Sequence, residues 1–448
     1  MLQRPAKREP TKMLLIVLLL LAATEFVIRG PLRYFPVLSS GSTWSDITQI
    51  YVPSRAWLMG EDPYDPDNFM VLYHQATNAV VDRGGFRSHS PHPLTALVVF
   101  SPIASLPWPW ARVLWTLLIS TIIFPAIWAL SSLLGVGRSN SKLAFAAGTL
   151  ALAPLHTGIA VGNVSILGIA LCTIAFWAST RQKDILAGTL IALSACLKPQ
   201  LGALFLLYYL LRRRWRIVWV AVAVGSAVFV VGVLRLGIAG TPWWKDFWEN
   251  AGLTEHHRLM DFADPSSLRF TMINLQVVLY GLLPNSFFAN AGALLVGLSL
   301  WGRWAYIALR AAAGRSELLM ASTFLTIGLL PSYHRNYDAV LLIFPLCWAL
   351  SAEAANYGRS RTLALLSIAP FLLPGPMLLQ SLVDKGVVAQ SVASGWSWNK
   401  ILMPHQTWLL LILSIVLLQA FCAEPRPNFG LEDKADAVPF PAPGPVPA

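Results

Sequence analysis

Residues 184–216 read DILAGTLIALSACLKPQLGALFLLYYLLRRRWR. Two apolar runs of helical length flank one break, Leu197-Lys198-Pro199-Gln200, and the second run ends in a cluster of arginines. Pro199 has no amide hydrogen and its ring clashes with the preceding turn, so a helix must stop before it. An apolar helix that ends in arginines is the pattern of a membrane crossing finishing on the cytoplasmic side. Both runs are short of the roughly 20 residues of a comfortable crossing. The Lys198 ammonium is therefore expected at the outer membrane surface or in a cavity there.

The same pattern repeats outward in both directions. Apolar runs recur from residue 13 to residue 422. The chain is 56% hydrophobic and 12% charged, with a mean hydropathy of +0.58. A soluble domain carries about twice that charge. A net charge of +11 in a soluble chain would point to nucleic acid. Here the basic residues punctuate apolar segments, as orientation in a membrane requires. Cys172, Cys196, Cys347 and Cys422 lie in or at the end of apolar runs without disulfide or metal spacing, and read as packing residues.

Basic clusters mark the cytoplasmic ends: the N-terminus, Arg138 with Lys142, Arg181 with Lys183, residues 212–216, Arg310 with Arg315, Arg359 with Arg361, and the tail. One inward and one outward helix between clusters gives crossings near 13–29, 109–134, 142–156, 160–179, 184–198, 200–211, 215–237, 286–309, 316–332, 336–351, 361–382 and 405–422. The expected fold class is an all-α polytopic membrane protein with about twelve transmembrane helices. The basic start and apolar run at 13–21 resemble a signal peptide cut after Ala23. With so many crossings downstream, an uncut first helix is expected.

Two apolar segments break this alternation, PLTALVVFSPIASLP (93–107) and SLRFTMINLQVVLYGLLP (267–284). Both are read as interfacial helices lying at the outer face. Two large loops then lie outside, 30–108 and 238–285, with a smaller one at 383–404. Residues 1–422 form a single domain on this reading, and the proline-rich segment 423–448 is a disordered cytoplasmic tail.

The outer segments hold the chemistry. The chain has only 22 Asp and Glu residues, yet the first outer loop concentrates them. Asp46 precedes a helical pattern of Ile47, Ile50, Tyr51, Trp57 and Leu58 that contains Pro53. An acid there either caps the helix or is a free outer-face carboxylate. EDPYDPD (61–67) is turn chemistry. Its Asp65-Pro66-Asp67 is a metal-type pattern, and the turn is the preferred reading; no metal or other cofactor is expected. Lys198 either snorkels to the interface or receives an anion such as a lipid phosphate. In LLPSYHRNYDAVLL (329–342), His334 and Arg335 either bind phosphate or are neutralised internally by Asp338. Tyr51, Arg55, Tyr64, His92, His256 and Arg269 are further candidate substrate contacts. No P-loop, nucleophile elbow, dinucleotide fingerprint or zinc-protease helix occurs.

Four stretches, in order, resemble the GT-C integral-membrane glycosyltransferases and, among them, glycosyltransferase family 87. They are Asp46 with Tyr51 and GEDPY (60–64); HPLTALVVFSPIASLP (92–107); ACLKPQ (195–200) followed by RRRWR; and PSYHRNY (331–337). The resemblance implies transfer of mannose from a polyprenyl phosphate outside the membrane. It also implies a catalytic aspartate, carried here by Asp46, and a donor phosphate faced by Lys198 and His334, with Arg335 beside them. This chain reads SHSPHP (88–93) where those enzymes usually show Y-P-P.

The residues suit that chemistry. A phosphate-linked sugar is already activated, so the protein must supply a base for the acceptor hydroxyl, cations for the leaving phosphate and a groove for the lipid. The expected partners are a polyprenyl-phosphate sugar, a lipid or glycan acceptor and membrane lipids, with no nucleic acid. The expected location is a bacterial cytoplasmic membrane. A transporter or flippase of lipid-linked sugars is the alternative; it calls for inverted repeats with helix breaks in matching halves, and LKPQ has no evident counterpart. A non-catalytic scaffold would not require outer basic residues beside short helices.

This topology predicts the outcome of cysteine labelling in intact cells. Ser88→Cys and Trp248→Cys should react with an impermeant reagent, and Arg213→Cys should not. Labelling at 213, or protection of both outer positions, overturns the scheme.

Overall fold

The computed structural model describes residues 9–33, 46–78, 90–135, 137–255, 261–310 and 316–423. His256 and residues 424–448 of the tail lie outside these segments. Among the described residues all regular structure is helical, and β pairing is confined to one bridge between Met272 and Arg335.

Five helices are long and apolar enough to cross a membrane: Pro10–Arg33, Trp108–Leu134, Trp215–Ala239, Ser286–Arg310 and His405–Ala423. Two bent pairs raise this to seven if each is one span. They are Ser139–Leu150 with Ala153–Ala160, bent by 46°, and Asn336–Leu350 with Glu353–Leu372, bent by 83°. The chain is thus an all-α, multi-pass membrane protein. Four more of the segments read as crossings, Ser165–Thr180, Asp184–Leu197, Pro199–Leu211 and Glu317–Gly328, are apolar helices of 10–17 residues.

The long helices expose rows of large apolar side chains, among them Leu14, Leu20 and Leu21 on the first and Val230, Val231 and Leu234 on another. Such patches would associate in water; lipid covers them. Inside the bundle, Trp115, Trp304, Phe176, Phe205 and Phe344 are fully buried. Phe344 meets Phe176 and Phe205 at ring separations of 5.3 and 5.7 Å. Buried indoles need acceptors, and Trp304 donates to the Met320 carbonyl at 3.0 Å.

The two segments assigned to the outer face differ from each other. Residues 93–107 give a helix, Leu94–Ala104, as expected. It packs between Thr48–Met59 and Trp215–Ala239. Gly232 permits the second contact, because a Cβ there would come within 2.9 Å of Leu94. Residues 267–284 are not one helix. A 3₁₀ turn, Ser267–Thr271, and a helix, Leu275–Leu282, flank an extended link. The Ile273 amide donates to the His334 carbonyl at 3.0 Å, and the Leu275 amide to the Leu330 carbonyl at 2.9 Å. These distant partners take the bonds that a continuous helix would have made locally.

At the LKPQ break the helix Asp184–Leu197 ends on Lys198, whose φ of −145° and ψ of 93° are extended, and Pro199 opens Pro199–Leu211. Beyond the break the two helices approach closely. A Cβ on Gly202 would lie 2.3 Å from Ala195 Cα. Gly202→Ala should therefore force the helices apart, an overpacking cost of about 1–3 kcal/mol, and lower the melting temperature in detergent. Gly225→Ala, with open space around it, is the control. Equal melting of both variants would contradict this account.

Candidate functional site

The helix Ala153–Ala160 runs into a turn at Val161, Gly162 and Asn163. Gly162 has φ +70°, a left-handed value that a side chain would strain. The Trp115 indole donates to the Gly162 carbonyl at 2.8 Å, and the Asn163 amide donates to the Gly158 carbonyl at 2.9 Å. The turn is thereby clamped from both sides. Asp46 docks on it: its amide donates to the Val161 carbonyl at 2.8 Å, and its Oδ2 accepts from Asn163 Nδ2 at 2.6 Å. The helix Thr48–Met59 begins behind it with Ile47 at the cap position and no side-chain cap bond. The Asp46 carboxylate is thus committed to Asn163 rather than to capping. Burial pushes its carboxyl above the ordinary value, while the Asn163 bond and the charges of Arg335 and Lys198 pull it back.

Lys198 is reached from Asn163 through Ser165, whose Oγ donates to Asn163 Oδ1 at 2.6 Å. Its Nζ donates to Ser165 Oγ at 2.6 Å and to Asp338 Oδ1 at 2.7 Å, 4.8 Å above the Tyr337 ring. Asp338 is fully buried. Its Oδ2 pairs with His334 Nδ1 at 3.1 Å and accepts from the Arg335 amide at 3.3 Å. Lys198 is 9% exposed, so it does not snorkel. Of the internal pairings read from the sequence, Asp338 takes up His334, but it meets Arg335 only through the main chain. The Arg335 guanidinium instead donates from Nη2 to Thr271 at 2.8 Å. Nε of Arg335 and Nε of Arg269 are buried with no hydrogen-bond partner among the described residues, and the Tyr333 hydroxyl stands against the Arg335 side chain. Such donors cost free energy until an oxygen-rich group meets them.

The remaining candidates divide. Tyr51 donates to the Leu106 carbonyl at 2.9 Å, Arg55 to the Ala104 carbonyl at 3.0 Å and Tyr64 to the His92 carbonyl at 3.0 Å. All three tie the first outer segment to the chain itself. Asp65 caps the helix Pro66–Thr77 by accepting from the Asp67 amide at 2.9 Å, which is turn chemistry. His92 is close enough to feel Lys198; burial and then that charge lower its imidazole to about 4, so it is neutral at physiological pH. Arg269 stacks on Phe270, with its guanidinium carbon 4.7 Å from the ring centre. No group of three or more metal-ligating side chains converges among the described residues.

Four residues chosen from the sequence, Asp46, Lys198, His334 and Arg335, thus meet at one end of the bundle. The profile of glycosyltransferase family 87 matches residues 91–332, more than half of the chain. The chain belongs to glycosyltransferase family 87. A relative named "Polyprenol-phosphate-mannose-dependent alpha-(1-2)-phosphatidylinositol mannoside mannosyltransferase", from Mycobacterium tuberculosis, is 27% identical over 230 residues. That match covers 45% of this chain and 51% of the relative, so the chain spans about half the length of the relative it matches. No solved structure matches it. The family match contains Asn163, Ser165 and Lys198, whereas His334 lies just past its C-terminal end and Asp46 well before its start at residue 91.

Asn163 and Ser165 were not among the residues read from the sequence, and Asp338 was read only as a neutralising partner. Asp338 and Lys198 are the pair most open to measurement. Removing one member of a buried ion pair costs about 3–5 kcal/mol. Lys198→Met and Asp338→Asn should each lower thermal stability markedly, and the double variant should lose clearly less than the sum. Additive losses in this cycle would mean that the two charges do not sustain one another.

Proposed function

We propose that this family 87 chain is a GT-C-type enzyme that transfers a hexose, mannose on the strength of the relative's name, from a polyprenyl-phosphate donor to a lipid or glycan acceptor. It works at the outer face of a bacterial cytoplasmic membrane, with about twelve crossings once the short apolar helices are counted. One observation carries this reading: the hydrogen-bonded path from Asp46 through Asn163, Ser165 and Lys198 to Asp338 and His334. It supports a base and a set of cations held at fixed spacing around one site.

In this reading the acceptor hydroxyl gives its proton to Asp46 as its oxygen attacks the anomeric carbon. The bond to the phosphate breaks, and the electron pair leaves with the polyprenyl phosphate. A single displacement of this kind inverts the anomeric centre. Arg335, with His334 and Lys198 around it, holds the growing negative charge on the phosphate. Lys198 is already shared with Asp338, so the unpartnered Nε of Arg335 is the readier donor. The neutral His92, Arg269 with its unpartnered Nε, and Tyr333 flank the site as substrate contacts. No step calls for a metal.

Asp46→Asn tests the assignment of the base. Its amide oxygen can still accept from Asn163, so the fold should persist. Sugar transfer from polyprenyl-phosphate mannose should fall about 10²–10⁴-fold, with thermal stability near wild type. Activity within a few-fold of wild type would remove Asp46 from the chemistry and shift the search to Asp62, Asp65 and Asp67.

A further inference from the structure

The path between Lys198 and Asp46 has a direction that its atoms dictate. Lys198 Nζ has only protons to give, and it gives one to Ser165 Oγ. Ser165 has one hydroxyl proton, and it goes to Asn163 Oδ1 at 2.6 Å. The Ser165 amide also donates to that oxygen, at 2.8 Å. With Oδ1 fixed by two donors, the amide group of Asn163 cannot be flipped, and its Nδ2 must face Asp46. Every donor from Lys198 onward therefore points toward the carboxylate. Asn163 and Ser165 are buried, and hydrogen bonds shielded from bulk water are electrostatically stronger.

We infer that Asn163 and Ser165 are positioning residues that pass the positive charge of Lys198 to the Asp46 carboxylate, hold one of its lone pairs and keep it ionised for proton abstraction. This rests on the proposed role of Asp46 as base. It goes further by tying the strength of that base to two uncharged residues that touch neither sugar nor phosphate. The same path links the donor side of the site to the acceptor side. A phosphate that draws on Lys198 protons changes what Ser165 receives, and so what Asp46 feels.

The charged and titratable groups facing Asp46 come from several elements. Lys198 lies at the helix break, and Arg335, Tyr333 and Tyr337 lie on the 331–338 segment. His334 and Asp338 stand behind Lys198. Arg335 and Lys198 favour the ionised carboxylate, and so does the Asn163 bond. Loss of a bond to the charged form raises the carboxyl pKa, so activity should be lost at higher pH as the medium is acidified.

The experiment uses the full chain in lipid nanodiscs, with polyprenyl-phosphate mannose as donor and octyl α-mannoside as acceptor. Asn163→Ala should move the acid limb of the pH–rate profile up by about one to two units. It should lower kcat and leave the donor KM near wild type. Asn163→Asp sets two carboxyls against one another and should move the limb further in the same direction. Ser165→Ala, which keeps the Ser165 amide bond to Asn163, should give a smaller shift of the same sign. Infrared difference spectra against Asp46→Asn titrate the Asp46 carboxyl directly and need no acceptor. If one variant does not fold, the other two still report. Infrared and kinetic curves that coincide with wild type in pH, with activity reduced equally at every pH, overturn the inference. An active Asp46→Asn enzyme instead overturns the base assignment, and a shifted infrared titration in that case would leave the coupling itself standing.

Discussion

Lys198 and Asp338 face one another at 2.7 Å, in a chain with little water to spare for either charge. An unpaired charge inside such a bundle is costly, and even a paired one needs its remaining valences met. The surrounding structure meets them. Ser165 and the Tyr337 ring attend to the ammonium, while His334 and the Arg335 amide attend to the carboxylate. To bring these groups together, three apolar segments must begin or end at the same depth. The helix break at Lys198, the start of Ser165–Thr180 and the start of the 3₁₀ turn Asn336–Leu342 do so.

A cost follows for the main chain. At this end of the bundle the backbone leaves the helix at 161–163, at 198, at 272–274 and at 331–335. Helix-free backbone is tolerated at membrane depth only where protein or a polar cavity satisfies it. Here the segments satisfy one another, through Val161 with Asp46 and through Ile273 and Leu275 with His334 and Leu330. The same loosening that frees these carbonyls and amides also lets side chains of opposite charge converge. Elsewhere many hydroxyls are spent on carbonyls of their own helix, as at Thr173, Ser322, Thr323, Thr326 and Ser414.

Much of this was legible in the sequence, for a physical reason. In a chain this apolar, a charge or a proline beside an apolar run is rare and expensive, so Lys198-Pro199, Asp46 and the His334-Arg335 pair stand out. Asn163 and Ser165 did not, because uncharged polar residues between apolar runs are common. The signal that existed was Gly162-Asn163 in the connection between two crossings, a turn pair that frees a side chain to point sideways. The break inside 267–284 was not legible at all, since its cause is pairing with residues some sixty positions later. Tyr51, Arg55 and Tyr64 illustrate the opposite failure. A donor bound to a main-chain carbonyl and a donor waiting for substrate look alike in a sequence. Only the positions of the Leu106, Ala104 and His92 carbonyls separate them.

The wide separation of the paired charges along the chain also has a meaning in time. Lys198 and Asp338 are 140 residues apart, and Asp46 and Asn163 are 117 apart. At a synthesis rate of about 5–20 residues per second, Lys198 waits on the order of ten seconds for its counter-charge to be made. During that interval Asp338 does not yet exist, and of the two side chains that accept from the ammonium only Ser165 has been made. An unpaired ammonium inside a bilayer is costly, so until then headgroups or water are its favoured surroundings. The pair can form only once residue 338 has been made, so this end of the bundle is completed after most of the chain has been synthesised.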